Sequence, residues 1–359
     1  MPVDDLAAAL LSTVFEADPL SGSMYGFPGY DDRLPDLSAD AEEQITAALE
    51  SVTRQADDHP DQGLAETEHQ TLDFVRVLAR GMAGAARVPL TEFTICDTFV
   101  APVPGVLTTL PKLSLDTDER RQGYVARLCG LPALLAAAGE RHKSGARAGL
   151  TAVARLVESA VVQVDLLIAD PDLGGIGRAD VEDDRFRRSV AAVMDEDVRP
   201  ALASYRDTLQ ADVLPHARDD DHPGICFLPD GADMYRAMAC LHTSTTYTPD
   251  ELHTMGREII DRVREELVET VRACGRRPTL QRSSGTSATI LRCATAAGRR
   301  CSMRGGWLRL RRRRRRTGSP PSPTTPARSS RCPRPKRRAW PPPITCPARS
   351  TAPAPGPTT

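Results

Sequence analysis

The stretch "LTAVARLVESAVVQVDLLIA", residues Leu150–Ala169, carries the clearest fold signal in this sequence. Its apolar residues recur every three or four positions, which is the spacing of one face of an amphipathic helix. They are Leu150, Val153, Val157, Val161, Val164 and Ile168. Charged residues interrupt the run, so it does not have the composition of a membrane-spanning segment. The stretch predicts a helix that packs one face against a protein core.

The same apolar spacing appears in other parts of the first 275 residues. It predicts helices around residues 41–52, 66–82, 118–138 and 185–209. Strand signals are poor. The segment "TEFTICDTFVAPVPGV", residues 91–106, could be extended, but two prolines interrupt it. Because aromatic residues make up only 4% of the chain, and strands are usually rich in them, the sequence predicts an all-α fold.

A further helix is predicted from Pro249 to Cys274. Thr248 is the expected N-cap, Pro249 suits the first helical position, and Glu251 completes a capping box. The apolar stripe of this helix consists of Leu252, Met255, Ile259, Val263, Leu267 and Val271. A stripe of this length is expected to need packing partners from sequence further downstream.

The acidic segment "DDRLPDLS", residues Asp31–Ser38, allows two interpretations. Two neighbouring carboxylates could serve acid–base chemistry. Alternatively, the segment is a solvated turn that leads into a helix capped by Ser38. Ordinary cap and turn preferences favour the second interpretation.

The last part of the chain differs sharply in composition. Residues 276–359 hold 21 of the 46 basic residues and no Asp or Glu, and they include the six arginines Arg311–Arg316. The first 275 residues therefore carry all 48 acidic side chains. Helical periodicity stops after Gly275. The sequence predicts a helical part at residues 1–275 and a disordered basic tail at residues 276–359.

Cysteine use and the N-terminus bear on the cellular compartment. The nine cysteines are scattered without any CxxC pair, which favours a reducing compartment over a disulfide framework. The start "MPVDDLAAALLSTVF" is acidic where a signal peptide is basic. We therefore expect a cytoplasmic protein that does not enter a membrane.

The richest polar constellation is "PDGADMYRAMACLHTSTTYTPDELHTMG", residues 229–256. One interpretation is a cleft wall that offers hydrogen bonds to a substrate, with Tyr235, His242, Thr246 and His253 as the candidates. The other is a helix–turn–helix junction with polar turn residues, which composition alone favours. Glu251 and His253 point about 200° apart on one helix, so they do not form a zinc-binding pair. The block predicts no metal site.

At these residues the chain resembles a known family. The strings "YDDRLPDLSADAEE", "GLTAVARLVESAVVQV", "VLPHAR" and "LPDGADMYRAMACLHTSTTYTPDELHTMGREII" are similar to the bacterial domain-of-unknown-function family eight-eight-five. Its members are large, helical and similar to zinc peptidases. The resemblance covers roughly residues 15–275. The matching positions in the last string are Gly231, Tyr235, His242, Thr243, Thr246, Glu251, His253 and Gly256.

The resemblance implies that an intact member is a metal-dependent peptidase or related amide hydrolase acting on a peptide-like substrate. Its zinc would lie on an HExxxH-type helix downstream of the matching block. Tyr235, His242, Thr246 and His253 would at most hold substrate or stabilise an oxyanion. This sequence contains neither HExxH nor HExxxH. We therefore expect no catalytic residue and no cofactor in this chain, and expect it to be inactive as given.

The arginine run has two explanations. If the reading frame is shifted by one base, three segments of the tail can encode strings that are similar to the family and stand in the family's order. They are "ATILRCAT", "PITC" and "TAPAPGPTT", residues 288–295, 343–346 and 351–359. A frameshift from about residues 276–283 in a GC-rich gene is the favoured interpretation. The alternative is a non-enzymatic protein whose tail binds nucleic acid or anionic surfaces by neutralising phosphates. Nucleic acid is the less favoured partner.

Overall fold

A computed structural model of the chain describes residues 2–178, 180–273, 278–282, 289–294 and 300–302. Residues 2–273 are built from helices and connecting turns, which confirms the all-α prediction for this part. The α-helices are α1 Val3–Ala17, α2 Pro19–Met24, α3 Ala39–Asp57, α4 Glu66–Ala86, α5 Leu90–Phe93, α6 Pro102–Thr109, α7 Asp118–Arg147, α8 Ala154–Ala169, α9 Asp184–Val193, α10 Arg199–Thr208, α11 Gly231–Thr243 and α12 Pro249–Ala273.

Short helical segments of other types join these elements. Two are π-helical: Met194–Val198 connects α9 to α10, and Leu209–Val213 follows α10, so that residues 184–213 form one continuous helical rod. The 3₁₀ segments are Leu110–Lys112, Leu173–Gly175, Leu214–His216 and Ile225–Phe227.

Three short strands are described within the predicted tail. They are β1 Pro278–Arg282, β2 Thr289–Ala294 and β3 Arg300–Ser302, and they pair in the antiparallel order β1-β2-β3. Pro278 lies opposite Cys293, and Arg292 lies opposite Ser302. Main-chain hydrogen bonds hold such a ladder without an alternating side-chain pattern, so sequence periodicity did not indicate it. Most of the tail predicted to be disordered lies outside the described residues.

Residues 91–93 and 102–106 belong to α5 and α6, and the residues between them form bends and turns without a strand, which corrects the expectation that the segment could be extended. Pro102 occupies the start of α6. The first turn of a helix has no internal partner for its N–H groups, so proline fits there without loss. Here the prolines begin a helix.

Two hydrophobic clusters support the helices of residues 2–247. The smaller cluster joins α1, α3 and α4, with Leu6, Ala56 and Leu72 fully buried. The larger one surrounds α7 and buries Leu128 and Leu131 completely. The stripe of α8 faces this larger cluster, since Val157, Val161 and Val164 are buried. The helix predicted from the opening stretch is thus confirmed, although it begins at Ala154.

The acidic loop before α3 is tied to α7 by a buried arginine. The Arg127 guanidinium donates to the carbonyl oxygens of Tyr30 at 2.6 Å and Arg33 at 2.9 Å, and to the Ser23 hydroxyl at 2.5 Å. Ser38 accepts a hydrogen bond from the Ala41 N–H at 3.2 Å, which confirms it as the N-cap. The loop is therefore a structural turn, as its composition favoured.

The described residues fall into two compact units. Residues 1–247 form the first unit, and the second begins at Thr248 with α12 and the three strands. Among the described helices, none combines the length and the apolar composition that crossing a bilayer requires.

Candidate functional site

Helix α11 carries the centre of the polar block, and its first residue must be glycine. A Cβ on Gly231 would overlap the carbonyl oxygen of Ile225. Asp230, just before it, adopts a left-handed conformation with φ 54°. The chain therefore makes a tight reversal into α11, and Gly231 at this family-matching position serves backbone packing.

A second glycine fixes α11 against α4. A Cβ on Gly81 of α4 would lie 3.2 Å from Cα of Leu241 on α11, which is closer than ordinary van der Waals contact. The two helices can approach this closely because Gly81 has no side chain. The position of α11 is thus determined by backbone packing at both of these points.

Tyr235 and His242 lie on the same side of α11. They are seven residues apart, so they differ by about 20° around the axis and by about 10.5 Å along it. Tyr235 is 50% exposed, and His242 is exposed as well. Neither side chain is hydrogen-bonded to another of the described residues. We call this pair the α11 ridge, and it presents a phenol and an imidazole to solvent.

The threonines after the ridge have different surroundings. Thr243 donates to the Ala239 carbonyl oxygen at 2.7 Å, and its hydroxyl lies 2.8 Å from that of Thr245. Ser244 ends α11 in a left-handed conformation. Thr246 is exposed in the following turn. Thr243 therefore closes the helix end, whereas the Thr246 hydroxyl is available to a ligand.

Glu251 and His253 belong to the second unit. The Glu251 carboxylate accepts hydrogen bonds from the Thr248 N–H at 2.7 Å and the Thr248 hydroxyl at 2.8 Å, while the Glu251 N–H donates to that hydroxyl at 3.3 Å. This is the predicted capping box, and the hydrogen bond from the Thr248 backbone lowers the pKa of Glu251. The Glu251 side chain thus caps α12. His253 is exposed in the first turns of α12.

The donor groups of this block do not fit a zinc centre. A protein zinc site uses three or four His, Cys, Asp or Glu ligands. The α11 ridge offers one imidazole beside a phenol. Throughout the described part of the chain, no three such side chains are grouped so that they could hold a metal ion.

A groove that sequence reasoning missed lies between α7 and α10. We call it the α7–α10 groove. It has a volume of about 400 Å³, within the range of small-molecule sites. Pro132 and Gly139 line its α7 side, Pro200 and Ala201 line its α10 side, and Ser204 adds a hydroxyl. The proline inside a predicted helix was the sequence signal available, because proline removes a helical hydrogen bond and disturbs local packing.

A buried polar pair lies beneath this groove. His142 Nε2 and the Tyr205 hydroxyl are hydrogen-bonded at 3.0 Å, and both side chains are buried. Burial lowers the pKa of His142 to about 4, against a smaller opposing effect of the Thr91 and Glu92 backbone. Burial also raises the pKa of Tyr205. Both groups are therefore neutral at physiological pH, and Tyr205 forms part of the groove wall.

Comparison with solved structures shows the fold that contains this site. A protein of Colwellia psychrerythraea described as "the putative lipoprotein" matches with a TM-score of 0.59 and 17% sequence identity. The match covers 76% of this chain and 52% of that one, so the chain spans about half the length of that protein. No curated protein matches the sequence.

Family comparison gives a longer match. Residues 19–297 match the family described as "Bacterial protein of unknown function (DUF885)", and this range includes α11, the capping box and all the matching positions of the polar block. The chain belongs to the DUF885 family of bacterial proteins.

Proposed function

We propose that this chain is the helical, substrate-binding part of a metal-dependent peptidase or related amide hydrolase, and that it does not itself hydrolyse peptides. The observation that carries the proposal is the α11 ridge. Tyr235 and His242 stand exposed on a helix whose position is fixed by Gly81 and Gly231. The reaction class comes from the resemblance of the polar block to a zinc-peptidase-like family.

The ridge has the dimensions to bind an extended peptide. Its two side chains are about 10.5 Å apart along the helix, and an extended chain advances about 3.4 Å per residue. Tyr235 and His242 would therefore contact peptide groups about three residues apart. The phenol can donate or accept, and a neutral imidazole can do both through its two nitrogens. Thr246 and His253 are the further candidates for substrate contact.

Lack of hydrolysis follows from the absent motif. The sequence holds no HExxH or HExxxH, and the donor set of the polar block does not suit zinc. We therefore assign no catalytic step to Tyr235, His242, Thr246 or His253. In this proposal a cofactor is needed only by an intact family member.

Peptide binding by the full chain tests the ridge. The probe is a set of fluorescein-labelled hexapeptides of mixed composition, with binding followed by fluorescence anisotropy. We expect the double variant Tyr235→Phe, His242→Leu to bind at least several-fold more weakly than the wild type. Asp233→Asn is the matched control, because Asp233 is exposed on α11 away from the ridge. Equal binding by all three proteins would rule out the ridge as the substrate contact.

Hydrolysis and metal content test the second half of the proposal. Labelled casein incubated with the chain, with and without added zinc, is expected to remain uncleaved. Elemental analysis after dialysis is expected to find no stoichiometric metal. One tightly held zinc per chain together with casein cleavage would overturn the proposal.

The arginine-rich segment and the location of the protein belong to the same proposal. We attribute the basic tail to a frameshift, and place the protein in the cytoplasm on the basis of its scattered cysteines. The family match reaches residue 297, so it does not mark the frame boundary at about 276–283. The nucleotide sequence through and beyond codon 275 tests the frameshift. Cell fractionation tests the location.

A second candidate function rests on charge segregation. The 21 basic residues after Gly275 are not accompanied by a single acid, whereas the rest of the chain is strongly acidic. Such a tail could neutralise phosphates. Retention on DNA at about 0.15 M salt that is lost when the chain is cut at Gly275 would support this function, and failure of the full chain to bind would exclude it.

A further inference from the structure

The α7–α10 groove has one acidic end. Glu196 and Asp197 both line it, and both belong to the π-helical segment that connects α9 to α10. Segments of this type recur at functional sites in other proteins. The Glu196 side chain is exposed, and it makes no hydrogen bond or ion pair with another of the described residues. Its carboxylate is therefore available to a bound cation.

The two walls of the groove, α7 and the rod of residues 184–213, run in the same direction. Before the groove begins, the rings of Tyr124 on α7 and Phe186 on the rod are 6.1 Å apart. Further along both helices, a Cβ on Gly139 would lie 3.4 Å from Cγ2 of Thr208. Pro132 lies between the two contact points of α7, just as the π-helical segment lies between those of the rod. The acidic end of the groove is therefore the end at Pro132.

The middle of the groove is apolar. Leu135 and Tyr205 line it and are 1% and 5% exposed, so they form its floor. Ala136 and Ala201 add only methyl groups, and Pro200 adds a ring. Walls of this kind bury the hydrocarbon part of a small ligand.

The other end of the groove is polar, but its charges are paired. Lys143 Nζ lies 2.5 Å from Oε1 of Glu140, so the ammonium group is already neutralised. Thr208 donates to the carbonyl oxygen of Ser204 at 3.1 Å. The Ser204 hydroxyl itself has no hydrogen-bond partner within the described part of the chain, and it can bind a polar group of a ligand.

The charges of the lining favour a cation. Three acidic side chains and one basic side chain line the groove: Glu140, Glu196, Asp197 and Lys143. Because Lys143 is paired with Glu140, the excess of carboxylate lies at the acidic end. A concave surface with apolar walls strengthens the potential of such charges. An anionic ligand would be repelled there, and a cationic ligand would be attracted.

We propose that the α7–α10 groove binds a small organic amine in its ammonium form. The juxtaposition that carries the proposal is the Glu196 carboxylate at one end of an apolar groove that has the Ser204 hydroxyl at its other end. The ammonium group binds Glu196, and the hydrocarbon body packs on Leu135 and Tyr205. Glu196 and Ser204 are eight residues apart, about 12 Å along the rod, which limits the length of the ligand. The groove shares no residue with the α11 ridge, so the inference is independent of the peptide-binding proposal.

Three ligands of matched shape and different charge test the class of ligand. Phenethylamine is a cation, phenethyl alcohol is neutral and hydrocinnamate is an anion. Ligand-observed NMR titration of the full chain, near neutral pH and at about 0.15 M salt, gives the dissociation constants. We expect about 1 mM or lower for the amine, as is reasonable for a ligand of this size. The alcohol should bind about fivefold more weakly, since a partly exposed ion pair contributes about that factor, and the anion more weakly still.

Glu196→Gln separates the effect of charge from any effect on folding. The substitution keeps the size of the side chain and removes its charge. We expect it to weaken binding of the amine about fivefold and to leave binding of the alcohol unchanged, whereas a distorted groove would weaken both. Asp195→Asn is the matched control, because Asp195 is the neighbouring exposed carboxylate, is paired with Arg199 at 3.0 Å and does not line the groove. It is expected to leave both constants unchanged.

Ala201→Trp tests the place of binding. Ala201 lines the groove and is partly exposed, so an indole at this position would fill the groove from its open side. We expect binding of both the amine and the alcohol to be lost, with helical content unchanged by circular dichroism. The proposal is overturned if the wild type does not bind the amine at about 10 mM, if it binds the anion as tightly as the amine, or if Glu196→Gln leaves amine binding unchanged.

Discussion

Gly81 on α4 and Leu241 on α11 approach so closely that a methyl group on Gly81 would lie 3.2 Å from Cα of Leu241. This contact couples the smaller hydrophobic cluster to the helix that bears the α11 ridge. We expect Gly81→Val to displace α11 and to cost about 1–3 kcal/mol of unfolding free energy, as overpacking does. Peptide binding should weaken with it. Urea unfolding and anisotropy measure the two effects, and Gly84→Val on the same helix is the control because its Cβ would meet no heavy atom within 4 Å.

The stability of the chain should depend on the protonation of His142. Its pKa lies at about 4 in the folded chain, below the ordinary value of 6.5. The unfolded chain therefore takes up a proton as the pH falls from 6.5 to 4 while the folded chain does not. Neutral His142 therefore contributes fully to the free energy of unfolding above pH 6.5. The free energy of unfolding decreases by about 3 kcal/mol as the pH falls from 6.5 to 4.

Urea unfolding of the wild type and of His142→Asn at pH 7 and pH 5 tests this expectation. The variant cannot titrate at position 142, so its loss of stability between the two pH values should be smaller. Equal losses in the two proteins would contradict the assignment to His142.

Gly231 and Gly256 should respond in opposite ways to alanine. A Cβ at position 231 overlaps the Ile225 carbonyl oxygen, so Gly231→Ala should destabilise the chain by about 2 kcal/mol or more. Gly256 lies in open space on α12, so Gly256→Ala should increase helicity and stabilise α12 by up to about 1 kcal/mol. Circular dichroism and thermal unfolding report both. If both substitutions stabilised the chain, or both destabilised it, the backbone positions described for Gly231 and Gly256 would be wrong.

Arg127 should hold the loop before α3 in place. It is buried and donates three hydrogen bonds to Ser23, Tyr30 and Arg33. We expect Arg127→Met to cost about 2–4 kcal/mol, because buried carbonyl groups lose their donors. The loop should also become sensitive to protease. Limited proteolysis with mass spectrometry locates the cuts, and Arg147→Gln, an exposed position at the end of α7, is the control with an unchanged pattern.

Features encoded within a few neighbouring residues could be predicted from the sequence. The capping box of Thr248 and Glu251 and the buried face of α8 were both predicted, because each depends on spacing within one helix. The α7–α10 groove was not. His142 and Tyr205 are 63 positions apart, and only the packing of α7 against α10 brings them together. Nothing in the local sequence of either residue indicates that contact.

In the candidate site, too, local features could be predicted from the sequence and long-range contacts could not. That Tyr235 and His242 share one face of α11 follows from their spacing of seven residues. The close distance between α11 and α4 could not be predicted from local sequence, because it depends on Gly81, which lies far away in the chain. The helical start at Pro102 was misread because proline was taken as an interruption, although at the first position of a helix it is favourable.

The π-helical segments of residues 184–213 have a consequence for how insertions and deletions are tolerated. The buried side chains of this rod are Phe186, Val190, Met194, Val198, Leu202, Tyr205, Leu209 and Val213. They recur about every 3.9 residues, more than the 3.6 of an α-helix, so in a regular α-helix the last would point away from the first. Each π-helical segment has more residues per turn than an α-helix, and so keeps the buried side chains on one side of the rod. Deleting one residue from Met194–Val198 would rotate every later side chain by about 100°, and Tyr205 would then lose its alignment with His142.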